Sequence, residues 1–328
     1  MISGRYETRF DDYVSDQFPF RDMWIALKSA ADRLAGRTES NGVFLGKDGF
    51  LIQGFAAPSE EDYRRTAEAL KGFLARHGEL REYVMIVPTA ATVLADRLPA
   101  LADAGDEGGY IDRLKADLSG TPAAFVDLRE PFAAAKAQTQ LYYRTDHHWT
   151  SDGARLAYLE LSGTAGLSGD TGRFERRLLS NGFQGTLSAA SGFRMGDRED
   201  LWAFLPGDGA PQCAVTHVGE NTRNASLFDV EKLDTRDQYA VFLGGNESEV
   251  RIETAVSNGR TLLVLKDSYA NCMIPFLTQD YQKVVVVDPR YFTGDLEVLM
   301  DAEGVNEILI LYNAQTLAED SALRADIG

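Results

Sequence analysis

Two short stretches of this 328-residue chain carry side chains that together could form a nucleophilic active site. One is the turn at Ser268, which follows an apolar run at 261–265 and precedes residues with helical spacing. The other is the triplet Asp146, His147 and His148. A serine hydroxyl becomes a nucleophile when a histidine removes its proton, and that histidine needs a carboxylate to orient it. These residue types therefore predict acyl transfer or ester hydrolysis at a serine.

The Ser268 turn lies where α/β enzymes place a nucleophile, between a buried strand and a helix. Such a turn exposes the hydroxyl, and the N-terminus of the following helix offers N–H groups and a positive dipole to a developing oxyanion. An ordinary helix cap is the alternative, because serine and aspartate are preferred at the first position of helices. The stretch alone leaves both interpretations open.

The acid and the second histidine of the triplet are spaced to work as a pair. In an extended loop, residues two apart point the same way, so Asp146 would lie beside His148 while His147 faces away. Asp146 would then fix the tautomer of His148, and the other ring nitrogen would reach Ser268. A structural loop in which Asp146 caps the helix beginning at Ser151 is a second interpretation.

A metal site is a third interpretation, because aspartate and histidine are both good ligands. A dinuclear phosphoesterase would need several further ligands, and no other histidine stands beside an acid in a comparable motif. We therefore predict neither a metal nor a cofactor.

The surrounding pattern predicts an α/β fold, a parallel sheet with helices on both faces. Strands are expected at 83–87, 123–127, 261–265, 283–288 and 307–313, and helices at 60–77, 110–118, 151–162, 269–277 and 295–302. Residues 1–55 are expected to form two helices, within 5–38, and a β-hairpin at 42–52. Residues 165–258 lack helical periodicity and predict a β-rich insertion with short strands at 213–218 and 239–243. We expect one domain over residues 1–328.

Polar residues follow three successive strands of this predicted sheet. They are Ser268, then Arg290 and Tyr291, then Tyr312 and Asn313. In open α/β sheets, ligands bind outside the carboxyl ends of the strands. These residues are therefore candidates for the wall of one substrate site.

Composition excludes several classes of function. The net charge is −17 and no cluster of basic residues appears, so nucleic acid is not an expected partner. No apolar run is long enough to span a membrane. Cys213 and Cys272 form neither a zinc set nor a disulfide framework, and we expect free thiols. We also expect a monomer.

Five motifs, in this order along the chain, resemble the DHHW family of bacterial cell-surface proteins. This family is grouped with the alginate-type O-acetyltransferases of the SGNH hydrolase superfamily. The motifs are DQFPFRD at 16–22, NGVFLGKDGFLI at 41–52, YYRTDHHWT at 142–150, KDSYAN at 266–271 and VDPRYF at 287–292. Of these motifs, TDHHWT is specific to the family.

The resemblance implies a catalytic triad of Ser268, His148 and Asp146 on an SGNH/flavodoxin-like sheet. The loop that carries Asp146, His147 and His148 (the Asp-His loop) here precedes the strand that leads to Ser268 (the serine strand). The resemblance therefore also implies a circular permutation of the usual SGNH order. Asn313 falls where SGNH enzymes keep an oxyanion-hole asparagine. Arg290 falls where they keep a glycine, which departs from the common pattern.

The resemblance further implies a serine-dependent O-acetyltransferase or acetylesterase acting on a cell-surface or secreted polysaccharide. A membrane-bound O-acyltransferase partner would deliver the acetyl groups. The expected location is extracytoplasmic, with anchoring through an N-terminal segment missing from this chain. The negative charge favours a neutral or basic polysaccharide over acidic alginate. The alternative is a non-catalytic carbohydrate-binding or scaffold protein of a polysaccharide export or modification complex.

Overall fold

The computed structural model describes residues 36–193 and 198–328, and residues 27 and 31 singly. The two helices predicted within 5–38 lie almost entirely outside the described residues, as does the motif at 16–22. From residue 36 onward, the α-helices in the described ranges are α1 (Glu60–Arg76), α2 (Ala90–Val93), α3 (Glu107–Leu118), α4 (Arg129–Ala135), α5 (Ser151–Ala165), α6 (Thr186–Ser191), α7 (Ile274–Leu277), α8 (Leu296–Glu303), α9 (Ala314–Glu319) and α10 (Ala322–Ile327). The strands are β1 (Glu39–Ser40), β2 (Val43–Leu45), β3 (Leu51–Gln53), β4 (Arg81–Val87), β5 (Ala124–Phe125), β6 (Phe174–Phe183), β7 (Glu199–Pro206), β8 (Cys213–His217), β9 (Thr222–Asn224), β10 (Glu249–Thr254), β11 (Thr261–Lys266), β12 (Lys283–Val287) and β13 (Glu307–Asn313).

A central sheet with strand order β5-β4-β13-β11-β12-β10-β8-β9 carries the serine turn. The strands from β5 to β12 in this order pair in parallel, as predicted. The remaining strands pair antiparallel, so the sheet is mixed rather than purely parallel. The connection from β10 to β11 is short, residues 255–260, whereas a strand parallel to β11 would need a longer crossover.

The middle strands are apolar between their end residues because both faces of the sheet are covered. On β11, Leu262 and Val264 pack into one core, which also contains side chains of α2, α4 and α5. Leu263 and Leu265 point to the opposite core, which contains side chains of α1, α3 and α8. None of the helices in the described ranges has the length and apolar character needed to cross a bilayer.

The stretch 165–258 supplies strands to two different sheets. Strands β6 and β7 form a separate two-stranded sheet, whereas β8, β9 and β10 extend the central one. The strand predicted at 239–243 is wrong: Gln238–Val241 is a 3-10 helix, followed by an isolated bridge between Phe228 and Phe242. The side chains of this run, Tyr239, Val241, Phe242 and Leu243, are buried in the core that also contains Leu262 and Val264. The assignment of 165–258 as an insertion stays a prediction.

The hairpin formed by β2 and β3 packs against the loop that carries Asp146 and His148. Val43 pairs with Gln53 and Leu45 with Leu51, as the motif at 41–52 predicts. Asp48 and Gly49 close the turn in left-handed conformations, with φ of 57° and 77°. The N–H of Leu51 donates to the carbonyl of Arg144 at 2.7 Å, so the hairpin is attached to the Asp-His loop.

Candidate active site

The serine turn begins where β11 ends. Asp267 caps a 3-10 helix, Ser268–Cys272, by accepting the N–H of Tyr269 at 2.9 Å. The helix predicted at 269–277 is therefore split into this 3-10 turn and the short α7, with Pro275 in its first turn. The N–H of Ser268 is the first of the turn, so it has no acceptor within it. Ser268 is half-buried.

The loop that carries the acid and the two histidines is held at both ends. Tyr142 and Trp149 form an isolated antiparallel bridge across it. Thr150, not Asp146, caps α5, by accepting the N–H of Gly153 at 3.2 Å. The indole N–H of Trp149 donates to the carbonyl of Tyr269 at 2.8 Å, which attaches this loop directly to the serine turn.

The structure brings Ser268, His148 and Asp146 into one hydrogen-bonded chain. Nε2 of His148 lies 2.7 Å from Oγ of Ser268, and Nδ1 lies 2.5 Å from Oδ1 of Asp146. The backbone N–H of His148 also donates to this Oδ1, at 2.9 Å. An ionised carboxylate only accepts, so Nδ1 carries the proton and Nε2 is free to receive the serine proton.

Asp146 is buried, and both of its oxygens are occupied. Oδ2 accepts the backbone N–H of Thr186 at 2.7 Å and its hydroxyl at 3.1 Å. Burial raises the pKa of Asp146, but the adjacent His148 and His147 and these hydrogen bonds outweigh it and hold the pKa well below its usual range. A Cβ at Gly185 would lie 2.1 Å from the Cβ of Asp146, so only glycine fits beside the acid.

Two rings enclose the imidazole of His148. On one side lies His147, with 3.8 Å between ring centroids, although the sequence predicts that it faces away. On the other side lies Tyr239, with 3.8 Å between centroids and an interplanar angle of 11°. The Tyr239 hydroxyl donates to Sγ of Cys272 at 3.1 Å. Burial raises the pKa of this free thiol to about 12, so Cys272 is neutral.

Glu199, buried at the start of β7, anchors the backbone of the Asp-His loop. Its carboxylate accepts the N–H of Arg144 at 2.9 Å, the N–H of Thr145 at 2.8 Å and the Thr145 hydroxyl at 2.7 Å. The sequence analysis missed Glu199, Thr186 and Tyr239. All three lie in the stretch 165–258, far along the chain from the loop, and no local pattern marks them.

The amide of Asn313, predicted as an oxyanion donor, is turned toward other partners. Its Nδ2 donates to Oδ2 of Asp267 at 2.6 Å and to Oγ1 of Thr316 at 2.7 Å. Its Oδ1 accepts the N–H of Thr316 and caps α9. Burial raises the pKa of Asp267. Asn313 therefore joins β13 to the serine turn through Asp267, with both amide hydrogens engaged.

The other predicted wall residues make no hydrogen bond to Ser268, His148 or Asp146 within the described part of the chain. Arg290 forms a bidentate pair with Asp288, at 2.8 and 2.6 Å. Tyr291 is 52% exposed, and Tyr312 is fully buried with a hydroxyl that has no partner among the described residues. Their substrate roles stay predictions.

Asn246 is a polar side chain over the serine turn that the sequence analysis did not single out. Its Oδ1 accepts Nζ of Lys266 at 3.1 Å and Nδ2 of Asn271 at 3.2 Å. Lys266 and Asn271 flank Ser268 in the chain. No described residue accepts a hydrogen bond from Nδ2 of Asn246, which is exposed. This amide is therefore anchored on its oxygen side and free on its donor side.

Among the described residues, a metal ion could be held by Asp146, His147 and His148. One ligand atom from each lies within 4.8 Å of the others. A metal would compete with the bond between Asp146 and His148 and with the bond between His148 and Ser268. The donor set therefore suits either a metal or a proton relay, and the prediction of no metal stays a prediction.

A cavity of about 250 Å³ opens beside the Asp-His loop. Asp146 and His147 line it from the loop, Tyr269 from the serine turn, and Asn313 from the end of β13. The cavity thus lies at the carboxyl edge of the parallel strands, where α/β folds bind ligands.

Comparison with known proteins identifies relatives of this chain. A family model, the SGNH hydrolase-like domain of the acetyltransferase AlgX, matches residues 43–231. The probable alginate O-acetylase AlgJ of Pseudomonas putida is 25% identical over 221 residues, which cover 63% of this chain and 53% of that protein. The chain spans about half the length of the curated relatives it matches.

Solved structures share the fold at lower identity. A DHHW family protein from Eubacterium siraeum superposes with a TM-score of 0.74 and 23% identity, over 87% of this chain and 95% of that one. Bacillus cereus PatB1 with a sulfonyl adduct superposes with a TM-score of 0.69 and 22% identity, over 85% and 96%. The resemblance predicted from the motifs is confirmed. Because the family model matches more than half of the sequence, the chain belongs to the family of SGNH hydrolase-like domains represented by the acetyltransferase AlgX.

Proposed function

We propose that this protein is a serine-dependent O-acetyltransferase that modifies a cell-surface or secreted polysaccharide through an acetyl-serine intermediate. The observation that carries the proposal is the chain from Ser268 through His148 to Asp146, with contacts of 2.7 and 2.5 Å. Membership of the AlgX-type family and similarity to probable alginate O-acetylases support acetyl as the transferred group and a polysaccharide as the acceptor.

In the first half-reaction, Oγ of Ser268 attacks the carbonyl carbon of an acetyl donor while Nε2 of His148 takes the hydroxyl proton. Asp146, ionised and fixed by Thr186, stabilises the imidazolium that forms. His148 then gives its proton to the departing donor oxygen, which leaves Ser268 acetylated. In the second half-reaction a sugar hydroxyl attacks this ester, and its proton passes to His148 and back to Ser268.

The tetrahedral intermediates need hydrogen-bond donors for their oxyanion. The N–H of Ser268 is one, because it is the first of its turn. The free Nδ2 of Asn246 is our second candidate, because its oxygen side is anchored to residues on both sides of Ser268. Asn313 is less suited to this role, because its two amide hydrogens point to Asp267 and Thr316.

The proposed setting is extracytoplasmic, with acetyl groups supplied by a membrane-bound O-acyltransferase partner. The proposed fold is a circularly permuted SGNH domain. The order of the parallel strands across the sheet supports this fold. If the serine strand β11 is counted as the first strand, β12 is the second, β13 the third, β4 the fourth and β5 the fifth. The spatial order β12-β11-β13-β4-β5 is then the flavodoxin-like order 2-1-3-4-5. The Asp-His loop follows the last of these strands, β5, both in this count and in the chain.

A chromogenic acetate ester tests the proposed reaction. With p-nitrophenyl acetate we expect nitrophenolate release that Ser268→Ala reduces to background, since the nucleophile is gone. We also expect added oligosaccharide to divert acetyl groups from water to sugar, which mass spectrometry of the sugar would measure. Ser119→Ala, at the exposed end of α3, is the matched control. Equal release by wild type and Ser268→Ala would contradict the proposal.

A further inference from the structure

The cavity beside the Asp-His loop has a polar lining, and neighbouring residues determine which of the lining atoms donate and which accept hydrogen bonds. Its volume of about 250 Å³ is just below the usual range of small-molecule sites and suits a ligand no larger than one sugar ring. Gln53, Thr89, Gln315 and Thr316 line it together with His147 and Glu319. The cavity adjoins the proposed nucleophile, because Tyr269, which lines the cavity, directly follows Ser268 in the chain.

The tautomer of His147 follows from its neighbours. Asp146 is ionised and only accepts, so the Thr186 hydroxyl must donate to Oδ2 of Asp146, at 3.1 Å. That hydroxyl has no second proton, so Nδ1 of His147, at 2.9 Å, must donate to it. With Nδ1 as the donor, the neutral imidazole of His147 presents Nε2 as an unprotonated acceptor, which has no partner among the described residues.

The two charged side chains that line the cavity in the described part of the chain are both acidic. Glu319 and Asp146 line it, and none of the described lining residues is a lysine or arginine. Glu319 is exposed, with Oε1 accepting Nε2 of Gln315 at 2.5 Å. The cations described in the site, Lys266 and Arg290, are both paired with Asp288. The chain as a whole carries a charge of −17.

We infer that the cavity receives an uncharged pyranose of the acceptor polysaccharide, oriented by a sugar hydroxyl that donates to Nε2 of His147, and that it rejects uronates. A carboxylate on the ring is repelled by Glu319 and by the ionised Asp146, which line the cavity. The inference rests on the proposed acetyl transfer. It predicts that this protein acetylates a different class of acceptor sugar from relatives called alginate O-acetylases, because alginate is a polyuronate.

Three trisaccharide acceptors with the same linkage test the inference: mannotriose, a mannuronate trimer, and the methyl ester of that trimer. The ester keeps the ring hydroxyls of the acid and removes its charge. With acetyl-enzyme formed from p-nitrophenyl acetate, transfer to mannotriose and to the ester should exceed transfer to the acid at least about tenfold. Glu319→Lys should narrow the ratio of ester to acid. Glu68→Lys, on the exposed face of α1 and outside the cavity, should leave that ratio unchanged.

The outcomes separate the inference from the proposed function. Acetyl-enzyme that passes its group to the acid as fast as to mannotriose would overturn the uncharged-acceptor inference and leave the acetyltransferase proposal standing. A ratio of ester to acid that Glu319→Lys does not change would overturn the role of Glu319. If no acetyl-enzyme forms on wild type, the proposed function fails and the inference fails with it.

Discussion

Replacing Asp146 by asparagine is expected to lower kcat for acetyl transfer about 10⁴-fold while the protein stays folded. The asparagine amide would donate to Nδ1 of His148, which forces the ring into the tautomer whose Nε2 carries the proton. That nitrogen could no longer receive the proton of Ser268. The positive charge that forms on His148 would also lose its buried counter-charge. Steady-state kinetics with p-nitrophenyl acetate measures kcat, and a thermal melt shows whether the variant stays folded.

Asp208→Asn is the matched control for this change, because Asp208 is an exposed aspartate outside the site. It should keep both activity and melting temperature. If Asp146→Asn retains more than about a tenth of the wild-type kcat, the carboxylate does not set the tautomer as argued, and the proton relay loses its orienting group.

Asn246→Ala is expected to lower kcat by about 10²- to 10³-fold, because it removes a proposed oxyanion donor. Asn313→Ala should act differently. It leaves the buried Asp267 with fewer donors, at a cost of about 1–3 kcal/mol in the free energy of unfolding. Urea denaturation gives the stability of each variant, and kcat measured where each is fully folded gives the catalytic effect.

The two asparagine variants also test each other. If folded Asn313→Ala loses two orders of magnitude in kcat while Asn246→Ala keeps its activity, the family-based assignment of Asn313 is right and ours is wrong. Equal losses would mean that the Asp267–Asn313 link positions Ser268 as strongly as an oxyanion donor stabilises the intermediate.

The residue types in the sequence were enough to nominate Ser268, His148 and Asp146, because nucleophile, base and acid have distinctive chemistry. The strand at 261–265 and the strand at 307–313 were predictable because both faces of the sheet are buried and the residues inside each strand, 262–265 and 308–312, are apolar. Asn313 shows the limit of this approach. An asparagine at the end of a strand suits an oxyanion hole and a helix cap equally well, and only the position of Asp267 in space distinguishes them.

The groups that hold the site together were invisible in the sequence for a physical reason. Gly185, Thr186, Glu199 and Tyr239 contact the Asp-His loop across long separations in the chain, and such contacts leave no periodic pattern. They all come from the stretch 165–258, whose irregular composition indicated only short strands. That stretch therefore supports the active site, and Tyr239 in particular was mistaken for a strand residue because its burial comes from stacking on His148.

The most direct test of the central claim is intact-mass spectrometry after incubation with an activated acetyl ester, with peptide mapping of the modified protein. We expect one acetyl group on the wild-type chain, located on Ser268, and none on Ser268→Ala or His148→Ala. An unmodified wild-type protein, or the same adduct on Ser268→Ala, would contradict the claim that Ser268 is the nucleophile of an acetyl-transfer reaction.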